Sequence, residues 1–383
     1  MTGGNPLVLN ALAFKQIERR ILSASNPEQR NIFLAMRACA YARFSLVDLA
    51  KDEVLKLRAI NAQFSPQLTA WIIFCEGLIH HFEHLDTKKS LDRFKRAKAI
   101  ASVIGDLNLS LSCTAWMANS EFINGDSVAA VKHLTELFSS NESIGPEALA
   151  RAFLVLADLL SWAGHADDAR SWYKEARHNA VLDGDLALQS LVMLNSALFR
   201  VSELTLLECS GAAVGDQEKN FVFMEVASIF NLDQGIGQPH LTFLIPMMKA
   251  EVFLMAHDWN SAISLISNNI SAMESSSLAR LSPRYIAQMA YAKAVIRDRQ
   301  GAMTDCLRAE ESQFMHADID DRAVYHSRLA QAYNLIDKST QAADHSLRFQ
   351  NCMTEIRHVR ASLFSSMRDV IELGERRKRK SPA

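Results

Sequence analysis

Small residues recur in pairs twelve positions apart, and the pairs themselves recur about every forty residues. Ala38 and Ala50, Ala118 and Ala130, Ala157 and Ala169, Ala250 and Ala262, Ala290 and Ala302, and Ala330 and Ala342 keep this spacing; Leu78 with Ser90 and Ala197 with Cys209 follow it more loosely. Twelve residues is the separation of two facing positions in a helix, a short turn and a second helix. Where two antiparallel helices cross, a large side chain would hold the axes apart, whereas small residues on both let the ridges interlock. Repetition near this length is the mark of stacked helical hairpins. The period is broken once, by about thirteen extra residues between Ala197 and Ala250.

Turn and start signals fit the same frame. Asn124-Gly125-Asp126, Ala163-Gly164-His165, His257-Asp258 and Asp337-Lys338-Ser339 each fall midway between a small pair. Gly there supplies the left-handed conformation that ends a helix. Asn26-Pro27, Ser65-Pro66 and Ser282-Pro283 each place a capping residue before a proline suited to the first helical turn. Gly (14) and Pro (8) are scarce for 383 residues, which argues against a β-rich or loop-rich chain.

The segment RAFLVLADLLSWAGHADDARSWYKEA resembles the tetratricopeptide repeat, with Phe153, Leu156, Ala157, Leu160, Gly164, Ala169, Tyr173 and Ala176 at the expected places. RLAQAYNLIDKSTQAADHSLRF matches it through Leu329, Ala330, Tyr333 and Ala342. The family's usual period is about 34 residues; the longer one here is similar to that of bacterial sensor and regulator solenoids. The resemblance implies an all-α fold, a right-handed α-solenoid of about eight antiparallel helix pairs with capping helices at both ends. The expected organisation is an N-terminal tail and capping helix over 1–27, a solenoid over 28–350, and a long helix with a basic tail over 351–383. Residues 210–217 (SGAAVGDQ) and 231–240 (NLDQGIGQPH) read as Gly-rich loops of an irregular insertion, with an extra helix over 221–230 between them. The expected C-terminal helix, from about Asn351 to Arg377, carries an apolar stripe of Ile356, Val359, Leu363, Met367 and Val370. That stripe can cover the last repeat or pair with a second chain as a homodimer.

Chemistry-bearing motifs are few. His80, Glu83 and His84 spell HxxEH, the inverted zinc-peptidase pattern, and Glu76 shares the face of His80. The motif sits on the first helix of a repeat whose apolar face is committed to stacking, so ordinary surface histidines are the expectation, and no catalytic residue, metal or cofactor is assigned. Gly235-Ile236-Gly237 lacks the third glycine of a dinucleotide loop, and no GxSxG is present. Six scattered cysteines without paired spacing read as buried thiols. A net charge of −2, no long apolar run and no basic leader point to a cytoplasmic chain without a membrane partner. Only the basic run Arg376 to Lys380 speaks for nucleic acid, and a helix end capped by positive charge accounts for it as well.

In tetratricopeptide proteins the first helix of each pair lines a concave groove that receives partners. Carried onto this sequence, the groove positions are Asn119, Phe122, Arg151, Asp158, Trp162, Glu251, Arg284, Tyr291, Gln331 and Asn334. Rings, amides and charges in mixture suit a peptide. The family's carboxylate clamp is not reproduced: Asn119 matches its asparagine, but Ala115 stands where a basic or amide residue belongs. The resemblance therefore implies a non-catalytic scaffold or adaptor that binds a protein or peptide. The alternative is a Rap-like or MalT-like sensor solenoid controlling a separate effector.

Overall fold

A computed structural model describes residues 12–60, 65–84, 86–236, 244–276, 278–311 and 317–379. Its regular structure is helical throughout, with 18 α-helices, a single 3-10 turn and no strand among the described residues. After α1 (Leu12–Leu22) the helices run as successive pairs. The first four are α2/α3 (Pro27–Arg43, Val47–Ile60), α4/α5 (Pro66–His84, Thr87–Ile104), α6/α7 (Leu107–Ile123, Ser127–Ser139) and α8/α9 (Pro146–Trp162, Ala166–Asp183). The next four are α10/α11 (Leu186–Cys209, Asp216–Ile236), α12/α13 (Leu244–Met255, Trp259–Glu274), α14/α15 (Ser282–Val295, Arg299–Glu311) and α16/α17 (Ile319–Leu335, Ser339–Ser366). A short α18 (Arg368–Lys378) ends the chain.

The small pairs sit at the crossings. Ala38, Ala50, Ala118, Ala130, Ala157, Ala169, Ala250, Ala262, Ala290 and Ala302 are wholly buried, as are Leu78 and Ser90. The turn between them has a fixed chemistry. Seven residues after the first small residue the backbone turns left-handed, at Ser45, Gly125, Gly164, His257, Arg297 and Asp337. The next residue is often an aspartate that caps the second helix: Asp126 accepts from Ala129 N, Asp258 from Ser261 N and Asp298 from Gly301 N.

The fifth pair departs from the expected register. Ala197 and Cys209 lie on one helix, the 24-residue α10, so their spacing marks no turn. The left-handed residue of this pair is Gly211, which follows Leu204 rather than Ala197 at the repeat's offset. Residues 221–230 are likewise no extra helix but the middle of α11, the second member of the pair, which runs on through Gly235. Arg200 on α10 ties the two together, 3.3 Å from Glu225 and 4.6 Å over the Phe221 ring. A lone glycine costs a helix about 1 kcal/mol, too little to end one alone. The rest of the second expected loop, 237–240, falls outside the described residues.

The C-terminal helix is also redrawn. The expected helix over 351–377 is the continuation of α17, interrupted at Met367 and resumed as α18. Its apolar stripe is covered by this chain: Leu363, Met367 and Val370 join a core built from residues of α6 to α10, and Ile356 packs among Leu206, Cys209 and Ile319. Gly374 lets α18 settle on Trp172, where a Cβ would stand 2.9 Å from the ring. Its cations are engaged as well. Arg377 donates to the Phe138 carbonyl in the last turn of α7 and to the Glu142 carbonyl just beyond it, at 2.9 and 3.0 Å, and Lys378 lies 3.6 Å from Glu175. Lys380 lies outside the described residues.

Contacts divide the chain into two compact units. Unit 1 comprises Met1–Met193, Asp233–Pro239 and Leu363–Ala383; unit 2 comprises Leu194–Leu232 and His240–Ser362. One described helix, α10, is long and apolar enough to cross a bilayer. Here it serves as a packing helix, with Ala197, Val201, Leu204 and Leu206 buried. All six cysteines are buried free thiols.

Candidate functional site

In unit 1, two first helices present matching polar faces. On α6 the face runs through Asn108, Ser112, Asn119 and Phe122; on α8 it runs through Glu147, Arg151, Asp158 and Trp162. Steps of three, four and seven residues keep each set on one side of its helix. Asn119, Arg151 and Asp158 on this face are buried, while Phe122 and Trp162 are half-exposed.

The two buried charges on this face each have a partner. Asp158 accepts a hydrogen bond from the Tyr173 hydroxyl at 2.7 Å. The Arg151 guanidinium lies 4.0 Å over the Trp116 ring, and burial pulls its pKa down to about 10. One turn earlier Glu147 accepts from Trp116 Nε1 at 2.9 Å and from the Ser112 hydroxyl at 2.8 Å.

Arg43, the last residue of α2, gathers three carboxylates around this end of the face. Its guanidinium nitrogens lie 3.4 Å from Glu147, 3.6 Å from Asp183 and 3.3 Å from Asp185. Burial opposes the charge on Arg43, but Asp185, Asp183 and Glu147 together raise its pKa above the ordinary value. Asp183 bears the cost. Burial, reinforced by Asp185 and Glu147 and only partly countered by Arg43, pushes its carboxyl up to about 6. Asp185 is also the cap of α10, accepting from Leu188 N at 2.9 Å.

Beside this cluster lies a cavity of about 320 Å³. Trp71 and Phe74 of α4 form its aromatic wall, Ile17 of α1 its apolar roof, and Arg43, Glu147 and Asp183 its polar end. Helix α1 is held there by Phe14 against Tyr41 and Phe44 at 5.3 and 5.1 Å, and by Glu18 against Arg37 at 2.7 Å. Gly184, in the left-handed turn after α9, admits its first turn, since a Cβ there would stand 2.8 Å from the Ala13 nitrogen.

In unit 2, the expected positions join ion networks. Arg284, 4% exposed, meets Glu251 and Asp321 at 2.5 Å each, and Gln288 donates to Glu251 at 3.0 Å. Arg328 donates to Glu208 at 2.7 Å and to Gln331 at 2.9 Å, and stands 4.7 Å over the Tyr291 ring. Tyr291 and Gln331 are half-buried, and Asn334 is exposed.

The HxxEH carboxylates are taken. Glu76 pairs with Arg58 and, at 3.5 Å, with Arg93; Glu83 pairs with Lys51. The side chain of His84 lies outside the described residues. Among the described residues no group of three or more His, Cys, Asp or Glu side chains is placed to hold a metal ion.

The expected groove positions include residues of the α6 and α8 faces but not Arg43, Trp71, Glu147, Asp183 or Asp185, which the structure gathers beside them. Two signals were present. Glu147 lies one turn before Arg151, and Gly184-Asp185 repeats the glycine–aspartate pattern of Gly125-Asp126.

No family model matches the chain, and no curated protein matches it. Among solved structures, that of a Rap protein complexed with Competence and Sporulation Factor superposes with a TM-score of 0.54 at 10% identity, covering 90% of this chain and 92% of that one. The apo form of RapI aligns with a TM-score of 0.47 at 9% identity, over 90% of this chain and 92% of that one. The first likeness fixes the fold as a tetratricopeptide-like helical solenoid.

Proposed function

We propose that this chain is a non-catalytic, cytoplasmic protein that binds a peptide or partner protein on the inner helices of its repeats. The observation that carries the reading is the α6–α8 face of unit 1, where half-exposed Phe122 and Trp162 continue a row of buried polar groups in which Asp158 is bonded to Tyr173 and Arg151 is stacked on Trp116. A rigid polar floor with accessible rings is the arrangement that anchors peptides, because the rings bury area at small entropic cost. In unit 2, Tyr291, Gln331 and Asn334 supply a similar mixture. The Rap structure, solved with a bound factor, supports a solenoid that receives a ligand. We favour the regulator over the static scaffold on that account: ligand binding would control a separate effector.

Affinity capture from native cells, with mass spectrometry of what co-elutes, tests the reading. The wild-type chain is compared with Trp162→Ala and with the exposed control Lys174→Ala, circular dichroism confirming the fold. Truncating an aromatic anchor typically costs a partner about 2 kcal/mol or more, roughly thirtyfold in affinity. A partner retained by the control and lost by Trp162→Ala supports the proposal; equal recovery from all three chains overturns it.

A further inference from the structure

The cavity under α1 is of ligand size. Small-molecule and peptide-end sites occupy roughly 300–1,000 Å³ and combine apolar walls with a few placed polar groups. This one has about 320 Å³, with Trp71, Phe74 and Ile17 on one side and Arg43, Glu147 and Asp183 on the other.

The charges at its polar end do not balance within hydrogen-bonding reach. Three carboxylates share the Arg43 guanidinium at 3.3 to 3.6 Å, whereas charge-assisted hydrogen bonds close to about 2.7–2.9 Å. Oδ2 of Asp183 and Oδ2 of Asp185 are buried and accept no hydrogen bond among the described residues. The other cations do not fill the gap. Arg151 is stacked on Trp116, with its Nε and Nη1 donating to nothing among the described residues, and Arg20 of α1, though it lines the cavity, is exposed and has its guanidinium over the Phe33 ring. A carboxylate oxygen held dry, short of donors and beside an open volume, as Oδ2 of Asp183 is, is complementary to an incoming cation. The raised pKa of Asp183 agrees, since that group gains from a proton or from any cation that replaces one.

We propose that this cavity binds the cationic end of a peptide, a free N-terminal ammonium with an apolar first side chain. Asp183 and Glu147 accept from the ammonium, while Trp71, Phe74 and Ile17 enclose the side chain. Buried recognition of this kind discriminates sharply, because a ligand lacking the donors leaves the carboxylates unpaired. The proposal deepens the peptide-binding reading above and rests on it.

Calorimetric titration of the full chain with two probes that differ only in charge tests it: Leu-Phe amide, which carries a free ammonium, and its N-acetylated form, which carries none. The free ammonium is expected to bind at least about tenfold more tightly. Asp183→Asn should remove most of that advantage while leaving the acetylated probe unchanged, and Met36→Trp, which fills the cavity, should weaken both. Glu147→Gln, checked for fold by circular dichroism, provides a second reading of the same preference. Equal affinity for the two probes, no binding of either, or binding indifferent to Asp183→Asn overturns the proposal. Should the probes fail while capture of a partner still depends on Trp162, the cavity assignment falls and the peptide-binding face stands. Should the probes bind as expected while Trp162→Ala retains every partner, the reverse holds.

Discussion

The Tyr173 hydroxyl on α9 donates to the Asp158 carboxylate on α8 at 2.7 Å, closing the α8–α9 hairpin with a buried bond. Burial and the Asp158 charge raise the Tyr173 pKa well above the ordinary phenol value, so the hydroxyl stays protonated as a donor. Tyr173→Phe keeps the ring and deletes the donor. We expect a loss of about 1–3 kcal/mol, read from the urea midpoint. An unchanged midpoint would show that the bond adds nothing to the hairpin.

The same hairpin tests the crossing geometry. Ala157 and Ala169 are both wholly buried where the two axes approach. Enlarging either to Leu should overpack the crossing and cost about 1–3 kcal/mol. Lys174→Ala, on the exposed side of α9, should stay within about 0.5 kcal/mol. Equal effects of the two classes in denaturant melts would remove the crossing assignment.

These hairpins were legible in the sequence because close packing leaves a local record: a small residue, a left-handed turn seven positions on, and a second small residue. The α10–α11 pair escaped because Ala197 and Cys209 mimic that spacing inside one helix, while the true turn at Gly211 follows Leu204. The positions on α6 and α8 came instead from the resemblance to the tetratricopeptide repeat. The resemblance could not say which residues on a face are buried, since burial is decided by partners from other repeats. Arg284 meets Asp321 one repeat onward, and Arg43 meets Asp183 from the far side of three hairpins. Nothing in the residues flanking Arg43 announces that neighbour.

Asp183 gives the pH prediction. Its carboxyl stands at about 6 in the folded chain against 3.8 as the ordinary value. Between these values the folded state holds more proton than the unfolded one, so stability declines as pH rises through that window and stays lower above it. Asp183→Asn mimics the protonated group and leaves Arg43 with Glu147 and Asp185. It should raise the melting temperature by a few degrees at pH 7.5, on the order of 1 kcal/mol or more, and change it little at pH 4. A variant less stable than wild type at pH 7.5 would contradict the sign.

Arg284 separates a groove residue from a core residue. It is 4% exposed and lies between Glu251 and Asp321, with both carboxylates within 2.5 Å. Burial opposes its charge, yet the two acids raise its pKa well above the ordinary value, so the guanidinium is the fixed centre of a triad. Removing one member of a buried ion group leaves uncompensated charge, which typically costs about 3–5 kcal/mol. Arg284→Met would leave both carboxylates facing one another, with Gln288 still donating to Glu251. We expect it to destabilise unit 2 by that amount, and the triple change Arg284→Met, Glu251→Gln and Asp321→Asn to recover much of the loss. Tyr291→Ala, from a half-buried ring beside Arg328, should instead lower partner affinity with a smaller effect on the melt. If Arg284→Met melts like wild type and only weakens partner binding, the triad is not a folding element. Arg284 would then belong to the binding surface, as its position on the first helix of its pair would have it.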